Sequence, residues 1–147
     1  MKKALCIGLL ICFIAASFWV YLISKTGSKV VNGIFVSELL IVVSEERFGI
    51  DFCRLLEKAT TNDTNAIKQL TLLEFYDSAS YEHGEIIVSL IELIGEEEFI
   101  HIFADANDEQ KKRITATIKI GLVYGKNELQ NRTLKETFPK VYDFLEK

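Results

Sequence analysis

Residues 107–125 read NDEQKKRITATIKIGLVYG, and the structure that this stretch adopts decides the fold class. Residues 114–120 alternate apolar and polar side chains, which is the two-residue period of a strand. Asn107, followed three residues later by Gln110, instead matches the capping box that begins a helix. Gly125 is suited to end that helix. Because the stretch is also long for a strand, we predict a single helix across it.

Further helix signals lie on both sides of this stretch. Capping side chains predict helix starts at four more places, namely Ser44, Asp63, Ser80 and Thr133. The helix that begins after Ser44 should carry one apolar face, made by Phe48, Phe52, Leu55, Leu56 and Ala59. The helix after Asp63 should extend past Leu73 to Phe75, and the one after Ser80 should end at Gly95.

The remaining segments complete an all-α prediction. A short helix should follow from residues 96–98, three glutamates that suit a helix N-terminus, and Pro139 should bend or restart the last helix. The apolar run at residues 34–43 fits either a helix or a buried strand, and its periodicity does not decide between them. We therefore expect residues 34–147 to form one compact helical domain of about five or six helices.

Composition agrees with a folded domain and bears on its partners. The chain has 147 residues, of which 49% are hydrophobic and 26% are charged, as is typical of a globular protein. Residues 1–29 contain four lysines and no acid, whereas residues 30–147 contain 13 basic and 21 acidic side chains, a net charge of −8. An acidic domain repels phosphate backbones, so we do not expect nucleic acid as a partner.

The N-terminal segment predicts a membrane anchor. Residues 4–23, ALCIGLLICFIAASFWVYLI, carry no charge, and as a helix they would span ~30 Å, the thickness of the hydrocarbon core of a bilayer. Trp19 and Tyr21 near the end of this run suit the membrane interface. We therefore predict a signal-anchor at residues 1–24, a short polar tether at residues 25–33, and a lipid bilayer as one partner.

The lysines suggest an orientation, and other fates of this segment stay open. Lys2, Lys3 and the amino terminus favour an inner N-terminus and an exported domain, which predicts a bacterial inner-membrane protein facing the periplasm or the outside. One alternative is secretion after signal cleavage near residues 15–17, although the apolar run continues beyond that site. A further alternative is a buried helix of a soluble protein. A lipoprotein at Cys12 does not fit, because the bulky Ile11 precedes it.

His83 is the first candidate for chemistry, since it lies between Glu82 and Glu85. At ~100° per residue, however, a helix places His83 on the apolar face and the two glutamates on the other side. The favoured interpretation is a core histidine that hydrogen-bonds to a carbonyl or a side chain. The alternative is ligand binding or proton transfer.

His101 is the second candidate, because Glu98 precedes it by three residues on the same helix face. Glu97, Glu98 and His101 would make at most a weak metal site, and a solvated helix start is the favoured interpretation. Cys53 is interpreted as a small core side chain rather than a nucleophile. Residues 121–127 resemble a phosphate loop but lack the Ser/Thr that would hold magnesium.

The last candidate is an acidic stripe made by Glu82, Glu85, Glu92 and Glu96. Such a stripe is usually solvated, but it could also dock a basic protein. No catalytic residue, metal site or cofactor is predicted. The leading hypothesis is a membrane-anchored, exported helical domain that binds another protein, such as an accessory or immunity factor. The alternative is a small hydrolase or metal-dependent enzyme that uses His83 or His101.

Overall fold

The computed structural model describes residues 27–125 and 128–146, which begin with a β-hairpin. Strand β1 (Lys29–Val31) pairs antiparallel with β2 (Ile34–Val36). The connecting residues Asn32 and Gly33 have φ angles of 48° and 87°, as a tight two-residue hairpin turn requires. One face of the hairpin packs on the core through the fully buried Val36.

Eight helices follow within the described residues. They are α1 (Glu38–Phe48), α2 (Phe52–Thr60), α3 (Thr64–Thr71), α4 (Asp77–Ile94), α5 (Glu96–Ile102), α6 (Asp108–Tyr124), α7 (Leu134–Thr137) and α8 (Pro139–Leu145). The long helices α4 and α6 pack against each other at the centre, and the remaining helices cover them. Aromatic and branched side chains from every helix fill the core, and Phe52, Phe99 and Phe103 are the largest that are fully buried.

The predicted all-α class is confirmed at the level of a predominantly helical fold. The described residues hold more and shorter helices than the five or six expected, and they include a hairpin that was not predicted. Strand β1 lies inside residues 25–33, the range assigned to a tether. The run at residues 34–43, which fitted either a helix or a strand, contains one of each: β2 ends at Val36, and Ser37 caps α1.

Two serines predicted to cap helices lie inside them instead. Ser44 is in the middle of α1, where its hydroxyl donates to the Leu40 carbonyl oxygen at 2.5 Å. The predicted helix from residue 45 to 59 is therefore wrong: Gly49, with φ of 65°, ends α1 and Asp51 caps α2. Ser80 likewise lies in the first turn of α4 and donates to the Asp77 carbonyl oxygen at 2.6 Å.

Most other predicted ends are confirmed. Asn107 and Gln110 form the capping box of α6, which settles the helix-or-strand conflict in favour of helix, and Gly125 follows its last turn. Thr133 caps α7, and the chain restarts as α8 at Pro139. Asp63 caps α3, although that helix ends at Thr71 rather than continuing to Phe75. Gly95, with φ of 87°, separates α4 from α5.

Two glycines allow α4 and α6 to cross at backbone contact. A methyl group built on Gly121 would lie 2.2 Å from the carbonyl oxygen of Gly84, and one built on Gly84 would lie 2.6 Å from the Gly121 nitrogen. Neither distance leaves room for a side chain, so only glycine fits at either position. This crossing fixes the distance between the two central helices and between the residues that they carry.

The predicted anchor at residues 1–24 lies outside the described residues. Within the part that the structure describes, no helix combines the length and apolarity needed to cross a bilayer.

Candidate functional site

A surface groove lies between the hairpin and the exposed side of α4. Its volume is about 770 Å³. The hairpin and the start of α1 form one wall, α4 forms the floor over most of its length, and Tyr124 of α6 closes one side. The residues that α4 contributes recur every three or four positions along one helix face: Ser78, Tyr81, Glu82, Glu85, Ile86, Ser89 and Leu93.

Large apolar side chains line this groove and remain open to solvent. Phe35 is 58% exposed, Leu93 and Tyr124 are each 54% exposed, and Leu39 and Tyr81 are also exposed. The rings of Tyr81 and Tyr124 stack with centroids 4.3 Å apart, so the two helices present one aromatic surface. A concave, contiguous patch of this kind marks interaction sites more often than scattered exposed residues do.

Glu82 holds the hairpin end of the groove in place. Its carboxylate accepts hydrogen bonds from both the backbone N–H and the hydroxyl of Ser37, the residue that caps α1. The bond crosses 45 residues of sequence and ties α4 to the exit of the hairpin. Glu82 is therefore a structural contact as well as a negative charge at the groove.

The acidic stripe predicted from the sequence is not one uniform solvated face. Glu82 is half-buried against Ser37, and Glu96 accepts a hydrogen bond from the Val141 backbone N–H at 2.9 Å. Glu92 is exposed, whereas Glu85 lines the groove. The structure thus divides the stripe between contacts with other elements, the groove and solvent.

His83 is a core residue, which confirms the favoured interpretation. Its side chain is 2% exposed, and its Nε2 lies 2.8 Å from the Leu70 carbonyl oxygen. The ring of Phe75 packs against it with centroids 4.7 Å apart. Burial lowers the pKa of His83 to about 4, although the hydrogen bond to Leu70 acts in the opposite direction. His83 is therefore neutral at physiological pH and out of contact with bulk solvent.

A smaller cavity of about 210 Å³ borders His83 and is also lined by Thr71 and Thr117. The Thr71 hydroxyl oxygen is buried and has no hydrogen-bond partner among the described residues. An unpaired buried hydroxyl costs stability, so an apolar side chain of the same shape would suit this position.

The second histidine is not brought to a ligand set. His101 and Glu98 are both exposed on α5, and Glu97 forms an ion pair with Lys140 at 2.7 Å. The hydrogen bond that Lys140 donates in this ion pair lowers the pKa of Glu97. Across residues 27–125 and 128–146, no three His, Cys, Asp or Glu side chains lie close enough together to hold a metal ion.

The other two sequence candidates have structural positions. Cys53 is half-buried on α2, and burial raises the pKa of its thiol, which opposes nucleophilic reactivity. Gly121 belongs to the interior of α6 and to its crossing with α4, so the stretch that begins there is not a loop around a phosphate.

Sequence reasoning missed the groove. Asn32-Gly33 between two β-branched runs is a hairpin signal that could have placed Phe35 on a sheet surface. No comparable signal marks Leu93, which periodicity assigns to the apolar face of α4. Comparisons with protein-family models, with curated proteins and with solved structures find no match to this chain.

Proposed function

We propose that this chain is a membrane-anchored, exported helical domain that binds another protein and performs no catalysis of its own. The groove between the hairpin and α4 is the proposed binding site. Its exposed aromatic and aliphatic lining is the observation that carries the proposal.

The shape of the groove favours a protein segment as its occupant. The residues of α4 that line the groove extend from Ser78 to Leu93, which is 15 helical steps, or ~22 Å at 1.5 Å per residue. That length suits one amphipathic helix of the partner, whose apolar side chains would lie among the exposed rings. Small-molecule sites enclose most of the ligand's surface, whereas the large apolar side chains that line this groove are about half exposed.

Charge favours a partner segment that carries Lys or Arg. Glu82 lies on the floor of the groove beside Tyr81. Carboxylates pair with a guanidinium or an ammonium, and tyrosine rings also attract these cations. The net charge of −8 over residues 30–147 would in addition speed the approach of a basic protein at low salt.

The anchor part of the proposal comes from the sequence of residues 4–23. An uncharged run of this length favours permanent residence in a bilayer, and the flanking lysines favour export of the acidic domain. Tethering keeps the groove at a membrane surface, which suits an accessory or immunity-like factor that meets its partner there.

Site-specific crosslinking tests the groove in the native membrane. A photoreactive phenylalanine is placed at Leu39 or Leu93 in the groove, and at Lys112, an exposed residue of α6, as the matched control. We expect one discrete adduct from both groove positions and none from the control. Equal adducts from all three positions, or none from the groove, would refute the binding site.

Binding of the crosslinked partner, once purified, then tests the chemistry. Tyr81→Ala should weaken binding by at least about tenfold, as expected for an aromatic residue at the centre of an interface. Lys112→Ala should leave binding unchanged. Affinity should fall as salt rises, since paired charges are screened. Salt-independent binding would contradict a basic partner.

A further inference from the structure

We infer that the outer face of the hairpin rests on the phospholipid surface of the membrane in which residues 4–23 are proposed to be anchored. The inference rests on that proposed anchor, and it adds a second contact between the domain and the bilayer. Its basis is a pair of exposed apolar side chains on the hairpin, Val30 and Phe35.

The pairing register places these two side chains together. Val30 lies directly opposite Phe35, so both project from the same face of the hairpin. Val30 is 68% exposed and Phe35 is 58% exposed. The other face supplies Val36 to the core. The outer face of a surface hairpin is normally polar, so an opposed Val and Phe there have no role in folding that the described contacts explain.

The chain length outside the hairpin keeps this face near the bilayer. The uncharged run ends at Ile23, and β1 begins at Lys29, six residues later. Even a fully extended chain of six residues spans only about 20 Å. If the run is anchored, the hairpin is therefore the element of the described domain that lies nearest to the lipid along the chain.

The charges of this region also favour lipid. Lys25, four residues before the hairpin in the sequence, suits the phosphate groups of the membrane surface, whereas Lys29 lies opposite Val36 on the other face of the hairpin. The remainder of the domain, with a net charge of −8 over residues 30–147, is repelled by anionic lipid. Contact through the hairpin satisfies both conditions, because it leaves Lys25 close to the headgroups and neither strand carries an acidic side chain.

This contact would orient the groove. Phe35 stands on the hairpin and also lines the groove, so a hairpin resting on lipid opens the groove beside the bilayer surface. The proposed partner segment would then be one that lies at the membrane surface. Val30 does not line the groove, which allows the two roles to be tested separately.

Fluorescence quenching of the full chain in lipid nanodiscs tests the inference. Trp19 is the sequence's only tryptophan, so it is replaced by Phe, and one new tryptophan is introduced by Val30→Trp or by the more conservative Phe35→Trp. Asp143→Trp, at an exposed position of α8, is the matched control. The discs contain phosphatidylcholine and phosphatidylglycerol, with or without bromine on the upper acyl chain.

We expect both hairpin tryptophans to be quenched about twofold, as for a ring inserted 5–10 Å into the interface, and the control to be unaffected. Retention of the chain in discs without quenching at either hairpin position would overturn the hairpin contact and leave the anchor standing. Loss of the chain from the discs would overturn the anchor and this inference together. The emission of the hairpin tryptophans could instead change with the number of chains per disc and show no quenching by bromine. That result would assign the outer face of the hairpin to a second copy of the chain and would also overturn the inference.

Discussion

Replacing Gly121 by alanine should destabilise the protein, although alanine is the better helix former. The added methyl group would lie 2.2 Å from the Gly84 carbonyl oxygen, whereas ordinary contact requires about 3.4 Å. The atoms nearest to this methyl group all belong to the backbone of Gly84 and Glu85, which cannot rotate away as a side chain can. The helices α4 and α6 must therefore separate by about 1 Å, and gaps of this size forfeit a quarter to a half of each facing dispersion contact.

The expected loss follows from two opposing terms. Overpacking of a well-packed core costs about 1–3 kcal/mol and more where the backbone must move, so we take ~4 kcal/mol here. Helix propensity returns about 1 kcal/mol on replacing Gly by Ala. The net loss in the free energy of unfolding is therefore about 3 kcal/mol, or a fall in Tm of roughly 6–12 °C for a chain of this size.

Thermal unfolding of the full chain in detergent, followed by circular dichroism at 222 nm, measures this loss. Ala116→Gly, at an exposed position of α6, is the matched control and should cost only about 1 kcal/mol through propensity. Gly84→Ala should repeat the effect of Gly121→Ala, and the double variant should lose less than the sum because the first methyl group already separates the helices. A Gly121→Ala variant as stable as the wild type would refute the close crossing.

Three further predictions concern buried or half-buried polar groups. The folded-state pKa of His83 is lowered to about 4 from 6.5, so the free energy of unfolding should be highest above pH 6.5 and should fall by about 3 kcal/mol between pH 6.5 and pH 4. His83→Gln should remove this part of the pH dependence, as measured by chemical denaturation at each pH. An unchanged pH profile would contradict the prediction. Thr71→Val should raise the unfolding free energy by about 1 kcal/mol, since it deletes an unpaired buried hydroxyl; a lower melting temperature would show that this hydroxyl is bonded in solution. Glu82→Ala should lower the free energy of unfolding by about 1–2 kcal/mol, because the hydrogen bonds to Ser37 are lost. The control Glu92→Ala, at an exposed position, should lower it by less than about 0.5 kcal/mol. Equal effects of the two variants would argue against the Glu82 contact.

Helix ends that depend on neighbours within four residues were predictable from the sequence. Asn107 with Gln110, and Thr133 with Glu136, each make reciprocal bonds inside one turn, so the pattern and the structure coincide. Such signals also decided between helix and strand for α6. Thr115, one of the polar residues in the alternating stretch 114–120, lies within the helix, and its hydroxyl donates to the Lys111 carbonyl oxygen at 2.8 Å.

The helix starts predicted from serine were wrong because a serine hydroxyl can bond to the helix backbone in two ways. At a helix start it accepts from a backbone N–H, but inside a helix it donates to the carbonyl four residues earlier, as Ser44 does to Leu40. The glycine at position 49 was the better signal, since its left-handed conformation ends α1 where a single long helix was expected.

The groove could not be predicted, because exposure is a property of distant parts of the chain. Periodicity assigns Leu93 to the apolar face of α4, but only the placement of other elements decides whether that face is covered. The bond between Glu82 and Ser37, which positions the wall of the groove, joins residues 45 apart in sequence. The glycines at positions 84 and 121 carried a partial signal, since glycine inside a helix often marks close packing.

The groove arises from a difference in length between two elements that pack together. Helix α4 has 18 residues and extends ~27 Å, whereas each strand of the hairpin has three residues and extends ~10 Å. Helix α6 covers one side of α4 through the glycine crossing, but the hairpin is too short to cover the other, so the aromatic and aliphatic side chains between them stay in solvent. Folding alone would tolerate polar residues at Leu39 and Leu93, both about half exposed. Their apolar character is therefore better explained by a surface that a partner covers than by the stability of the domain.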